Sequence, residues 1–440
     1  MDQYTQGLMD FIQANPCNFF VVASQAAQLD AAGYVRLDES AEWNIVPGGK
    51  YYVTRNGSAL VAFRVPAQVQ PQAPLPFLIM ASHSDAPTLR IKTNPEIVTA
   101  GAYTTLNVEL YGGALLSTWF DRPLSAAGRL MVRTPEGPQM RLVNLDRDLM
   151  VIPSLAIHQN RKSNSGYEYN VQKDLLPLFG NGQAGRILTL AAEAVGVAEE
   201  DVLAHELVLY PRMAPCVWGA SEEFISAPHL DDVQCAYASL TGFLEAGAAN
   251  AADPFIPVHV VFDNEEVGSG TKQGAASTFL RDTLERLAEA LGCSPAQYKR
   301  ALAASFMLSG DNGHALHPNY QEKCDPTNRP VLGGGVLIKH AANQKYTTDA
   351  ASEAIVRTLA EQAGVPVQDF VNRSDEPGGS TLGNLSSAQV AVATADVGVA
   401  QLAMHSSYET CSAADTAHLV ALARQLFSGS ALADIRAALC

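Results

Sequence analysis

Apolar and polar positions along the chain follow two rhythms. Near the start, Tyr4, Leu8, Phe11 and Ile12 recur at helical spacing until Asn15-Pro16 ends the run. A second helix is expected from Phe19 to Ala32, with Asn18 as candidate N-cap and Gly33 placed to stop it. Wholly apolar runs then mark buried strands at Phe77 to Ala81, Val258 to Phe262 and Phe306 to Leu308. Gly274 to Leu291, Ala350 to Ala363 and Ala413 to Phe427 carry the helical period again. Strands separated by helices predict an α/β sheet covered on both faces.

The stretch from about 92 to 215 has a different texture. Tyr103 to Tyr111 and Gly128 to Arg133 are rich in Val, Thr and Tyr or punctuated by glycine, which predicts a mostly β unit with its own core. Residues 1–91 and 216–440 then form one discontinuous domain, with 92–215 inserted into it. Four prolines between Pro66 and Pro76 predict a loop.

Composition narrows the classes. The chain has 440 residues, 47% of them hydrophobic, with 29 basic against 45 acidic side chains and a net charge of −16. That excludes a disordered chain and a basic nucleic-acid-coating protein. No apolar run reaches the ~18 residues of a membrane span. Met1-Asp2-Gln3-Tyr4 lacks the charged and apolar regions of a signal peptide, and seven scattered cysteines read as reduced thiols. A cytoplasmic location is therefore expected.

Candidate chemistry sits beside the apolar runs, where α/β folds place their sites. These positions are His83 and Asp85, Asp231-Asp232, Glu265-Glu266, Asp311, and His405 after the apolar stretch Val397 to Leu402. Taken singly, each fits an ordinary loop or turn. Together they supply the nitrogen and oxygen ligands of a two-metal hydrolase. Adjacent glutamates suit that chemistry, one binding metal while the other holds a water as general base. The His83-x-Asp85 pair fits a carboxylate orienting a metal-bound imidazole. No HExxH, P-loop or GxSxG motif is present, which disfavours a one-helix metalloprotease, phosphoryl transfer and serine hydrolysis.

At this point the chain resembles the aspartyl aminopeptidases, among the co-catalytic zinc metallopeptidases. The likeness runs through Glu42-Trp-Asn-Ile45, Tyr51 to Gly57, Tyr111-Gly-Gly, Ser117 to Arg122, Ile152 to His158, Asp263 to Ser269, His317-Pro-Asn-Tyr320 and Ala403-Met-His-Ser406. The resemblance implies an α/β/α catalytic domain on a mixed sheet, an inserted β-rich dimerisation domain, and dimers assembled into a tetrahedral dodecamer. It implies two zinc ions per subunit, with Asp231 bridging them. His83 and Asp311 would complete one ion, Glu266 and His405 the other. Glu265 matches the general base, and His158 matches a histidine offered to a neighbouring subunit's site. Lys339 matches a lysine that receives the acidic side chain of the substrate. The implied reaction removes N-terminal Asp or Glu from peptides; the alternatives are a broader, neutral-residue aminopeptidase and a non-catalytic assembly protein of the same fold.

Three positions depart from the family pattern. Asp232 stands where Asn is usual after the bridging Asp, and Phe20 where a histidine is common. Ser407-Tyr408 replaces an Ile-Arg pair, so a basic group is expected to be missing there. His314, His317, Cys235 and Asp263 are read as packing or hydrogen-bonding residues.

Overall fold

The computed structural model describes residues 1–68, 75–182, 185–246 and 255–439. Most of the Pro66–Pro76 loop lies outside the described residues. The larger sheet has thirteen strands. At its centre Ile256–Phe262, Phe77–His83, Phe306–Gly310 and Ala393–Leu402 run parallel in that spatial order. The hairpin of Lys50–Arg55 and Ala59–Arg64 flanks them antiparallel, and Val336–His340 pairs antiparallel with Ala393–Leu402.

The apolar runs are continuous because both faces of this sheet are buried. Successive side chains on a strand point to opposite faces. Leu78 and Met80 accordingly join a core with the helices Gln3–Ala14, Asn18–Ala31, Leu230–Glu245, Ala350–Ala363 and Asp415–Ser428. Phe77, Ile79 and Ala81 pack on the other face against Phe279–Ala290, Pro295–Ala303 and Leu382–Gln389. The result is an α/β/α sandwich on a mixed sheet.

Two helix boundaries differ from expectation. Asn18 is the first helical residue, not the cap, because its side-chain amide donates to the Asp263 carboxylate (2.9 Å). The helix expected from Gly274 starts only at Phe279. Before it, Gly274 lies so close to Ser269 that a Cβ would sit 2.3 Å from the Ser269 carbonyl oxygen. That backbone contact replaces the first helical turn.

A second sheet of six antiparallel strands occupies Thr88 to Pro211. It has its own core, with Trp119, Leu130, Ile152 and Leu207 fully or almost fully buried. Cys17, Cys216, Cys235, Cys293, Cys324 and Cys411 are free thiols. Among the described residues no helix is long and apolar enough to cross a membrane.

Candidate metal centre

The parallel strands deliver their polar neighbours to one edge of the larger sheet. His83 is the last residue of its strand and pairs with Phe262, directly ahead of Asp263 to Glu266. Asp311 follows the strand Phe306–Gly310, and His405 follows Ala393–Leu402. Asp231 enters from the start of Leu230–Glu245, where it and Asp232 have non-helical backbone angles. Asn264 and His405 hold positive φ of 60° and 66°, sharp turns that point the following or own side chain inward.

Asp231 occupies the middle. Its Oδ1 lies 3.5 Å from Nε2 of His83, and its Oδ2 lies 3.5 Å from Nε2 of His405. His405 Nε2 also lies 3.3 Å from Glu266 Oε2. His83, Asp231, Asp232 and Asp311 can offer ligand atoms within 4.8 Å of one another. The same holds for Asp231, Glu266 and His405, and for His83, Glu265 and Glu266. Two overlapping ligand groups thus share Asp231.

Supporting bonds fix these groups. Asp85 accepts the backbone N–H of Glu265 on Oδ1 (3.1 Å) and that of Glu266 on Oδ2 (3.2 Å). Its Oδ1 stands 3.3 Å from His83 Nδ1, whose nearer partner is the Asp85 carbonyl (3.0 Å). Tyr111, the last residue of a strand in the second sheet, donates its hydroxyl to Asp85 Oδ2 (2.7 Å). Asp232 accepts the His83 backbone N–H (3.1 Å). Glu409, 1% exposed, accepts the N–H of His405 (2.7 Å) and of Asp231 (3.0 Å). Tyr111 and Glu409 have supporting roles not expected from the sequence; Tyr111 stands in the Tyr111-Gly-Gly stretch of the family likeness and ends a strand, while Glu409 is marked only as a carboxylate four residues past His405.

The electrostatics call for a cation. Burial pushes Glu265 up to about 8, and Asp311, Asp85 and Asp231 add to it against the pull of His83. Burial likewise raises Asp311 to about 6 although Lys339 opposes it. Burial works against charge on His405, but Asp231 and Glu409 outweigh it and hold that imidazole up at about 9. Asp231 Oδ1, Asp232 Oδ1 and Glu266 Oε1 are buried without a hydrogen-bond partner. Orphaned carboxylate oxygens beside two imidazoles fit a divalent metal of the zinc type.

Other expected site residues lie elsewhere or are differently engaged. Lys339 is 2% exposed; its ammonium donates to the carbonyls of Asp311 and Asn312 (2.9 Å each) and lies 3.4 Å from Asp311 Oδ2. A substrate carboxylate reaching it would share it with Asp311. His158 is exposed on a turn of the 88–211 segment, next to exposed Leu155 and Ile157, and belongs to none of the three ligand groups. The basic group expected to be missing after His405 has a counterpart: Arg122 Nη1 lies 3.3 Å from Ser407 Oγ. His317 accepts the Asn319 N–H and Cys235 bonds to Asn312, both ordinary packing roles. A cavity of about 780 Å³ opens between His314 and Ala403, close in sequence to Asp311 and His405.

Imidazoles and carboxylates gathered at strand ends of an α/β/α sandwich define a metal-dependent hydrolase. Comparison with known proteins narrows this. Residues 11–427 match the family model "Aminopeptidase I zinc metalloprotease (M18)". A probable M18 family aminopeptidase 2 of Clostridium novyi is 42% identical over 421 residues, covering 94% of this chain and 96% of that protein. The structure of a complex of Ape4 and Nbr1 superposes with a TM-score of 0.93 at 33% identity, over 97% of this chain and 85% of that one. The S. cerevisiae mApe1 dodecamer superposes with a TM-score of 0.83 at 26% identity, over 99% and 98%. The chain belongs to the M18 family and is a metal-dependent aminopeptidase of the zinc type.

Proposed function

We propose that this aminopeptidase uses two metal ions, most simply zinc, and prefers peptides beginning with Asp or Glu. The observation that carries the two-metal reading is Asp231, with each carboxylate oxygen 3.5 Å from a different imidazole. Asp231 would bridge the ions, His83 and Asp311 completing one and Glu266 and His405 the other. When bound, the metals supply Lewis-acid polarisation of the scissile carbonyl and lower the pKa of an attacking water.

The chain's own residues do the rest. Glu265 takes the water's proton as attack occurs and passes it to the leaving amine. Asp85 holds Glu265 and Glu266 by their backbone N–H groups, so base and ligand keep a fixed relation. The cavity lined by His314 and Ala403, two residues before His405 in the chain, is the space proposed for the peptide. Lys339 and Arg122 are the cations proposed to face an acidic side chain, against the repulsion of a chain at −16. His158 is assigned to the site of a neighbouring subunit in a homo-oligomer, proposed as dimers assembled into a tetrahedral dodecamer through the 92–215 insertion. Its exposed apolar neighbours Leu155 and Ile157 suit a covered position.

Glu265→Gln tests the central step. The amide is nearly isosteric, so metal content should stay normal while turnover falls about 10²–10⁴-fold. Near-normal turnover in the fully metallated variant would remove Glu265 from the mechanism.

A further inference from the structure

The turn that carries Glu265 and Glu266 is held at its base by the residue just before it. Asn264 has a positive φ of 60°, a region that asparagine enters more readily than most residues. Its backbone N–H donates to Asp263 Oδ1 (2.8 Å), which also accepts the Asn18 amide (2.9 Å). Its carbonyl accepts the Ser269 N–H (2.8 Å). Gln273 closes the loop from the other side, accepting the Asp263 N–H on its own carbonyl (3.2 Å).

The Asn264 side chain links this base to the second sheet. Its Oδ1 accepts the Thr271 hydroxyl and the Gln273 amide (2.8 Å each). Its Nδ2 donates to the Tyr111 hydroxyl (2.8 Å). Tyr111 donates in turn to Asp85 Oδ2 (2.7 Å). Asp85, itself buried, accepts the backbone N–H groups of Glu265 and Glu266. The bonds run in one direction, from Thr271 and Gln273 through Asn264 and Tyr111 to the carboxylate that holds the turn.

Direction matters because a phenol has a single proton to give. An acceptor in place of the Asn264 amide nitrogen would compete with Asp85 for that proton. An amide donor cannot, so the proton stays committed to Asp85. The donors from Thr271 and Gln273 set which end of the Asn264 amide faces Tyr111. Burial, joined by the charges of Asp85 and Asp263, raises the phenol well above its ordinary range, so the proton is present at neutral pH. Each bond along such a chain polarises the next and strengthens it.

We propose that Asn264 is a positioning residue for the base: by donating to Tyr111 it commits the Tyr111 proton to Asp85, and through Asp85 it aims Glu265. This rests on Glu265 as the base, so Glu265→Gln is assayed alongside. Near-normal turnover there would count against the base, whereas the cycle below tests the relay alone. Asn264→Gly and Tyr111→Phe are made singly and together in the metal-loaded protein; glycine keeps the left-handed backbone and removes only the side chain. Asn264→Gly should lower kcat about tenfold, with KM and metal content little changed. In the Tyr111→Phe background the same substitution should cost no more than about twofold, because the hydroxyl it acts through is gone. A full loss in both backgrounds, an unchanged kcat, or a loss that appears in KM or metal content would overturn the proposal and leave Asn264 as a residue that only shapes the loop. If Asn264→Gly does not fold, Thr271→Val, isosteric at a partly exposed position, replaces it. Its kcat should then fall about threefold alone and stay level beside Tyr111→Phe, and equal falls in the two backgrounds would overturn the proposal.

Discussion

Single residues carry the chemistry, and their visibility in the sequence depends on what they touch. The structure brings His83, Asp231, Glu266, Asp311 and His405 together, and these positions stood out in the sequence because each lies close to an apolar run near a strand or helix end. Glu409 did not, because its part is to accept two backbone N–H groups, from His405 and Asp231, and that depends on chain direction in space. Lys339 was legible as a position but not as an environment. Its ammonium holds two carbonyls around Asp311, so its removal should disturb metal binding as well as substrate choice. A ratio separates the effects. Lys339→Met should lower kcat/KM for a Glu-initiated peptide about ten- to a hundredfold more than for its Gln counterpart. Kinetics on the matched pair check this; an equal fall on both would make Lys339 purely a support for Asp311.

Elements set where those residues meet. Three of the central parallel strands were expected from their apolar runs, since a strand buried on both faces has no polar alternation to confuse it; the fourth, Ala393–Leu402, was marked only as an apolar stretch from Val397. Helix starts were less legible. Asn18 has the composition of a cap, but a buried carboxylate claims its amide, and Gly274 has helical neighbours but a tight backbone contact with Ser269. The second sheet and the loop after it reach the site through several hydrogen bonds: Tyr111 at a strand end donates to Asp85 and accepts from the Asn264 amide (2.8 Å), and the Gly113 carbonyl lies 3.1 Å from His405 Nδ1. A hydrogen bond to a charged group contributes about 1.5–3 kcal/mol. Tyr111→Phe should therefore lower kcat about tenfold while metal content and KM change little, because Asp85 loses one of the contacts that aim Glu265 and Glu266. Unchanged steady-state kinetics would mean that the second sheet does not brace the base.

At the scale of the whole molecule, the question is whether one chain contains a complete site. His158 lies on the exposed surface with no place in the ligand groups, so the proposed function requires a neighbouring copy to bring it in. Sequence alone places His158 far from every candidate ligand and says nothing of which surface it meets, because contacts between copies leave no periodicity in the chain. Mixing inactive His158→Ala with inactive Glu265→Gln should restore part of the activity in hybrid assemblies. Some interfaces would then join an intact base to an intact histidine. No recovery in verified hybrids would place His158 within its own chain's chemistry or outside it altogether.

Counting metal addresses the central claim most directly, because the proposed shared carboxylate would couple two ions. Asp231 has one oxygen 3.5 Å from each of the two imidazoles, and in the proposed two-metal centre its negative charge would offset repulsion between the dications. Metal analysis of the purified wild type and of Asp231→Ala after identical dialysis is the measurement. The account predicts two ions per chain in the wild type and loss of both together in the variant, with hydrolysis lost in parallel. Two ions retained in Asp231→Ala, or a single ion in a fully active wild type, would contradict it.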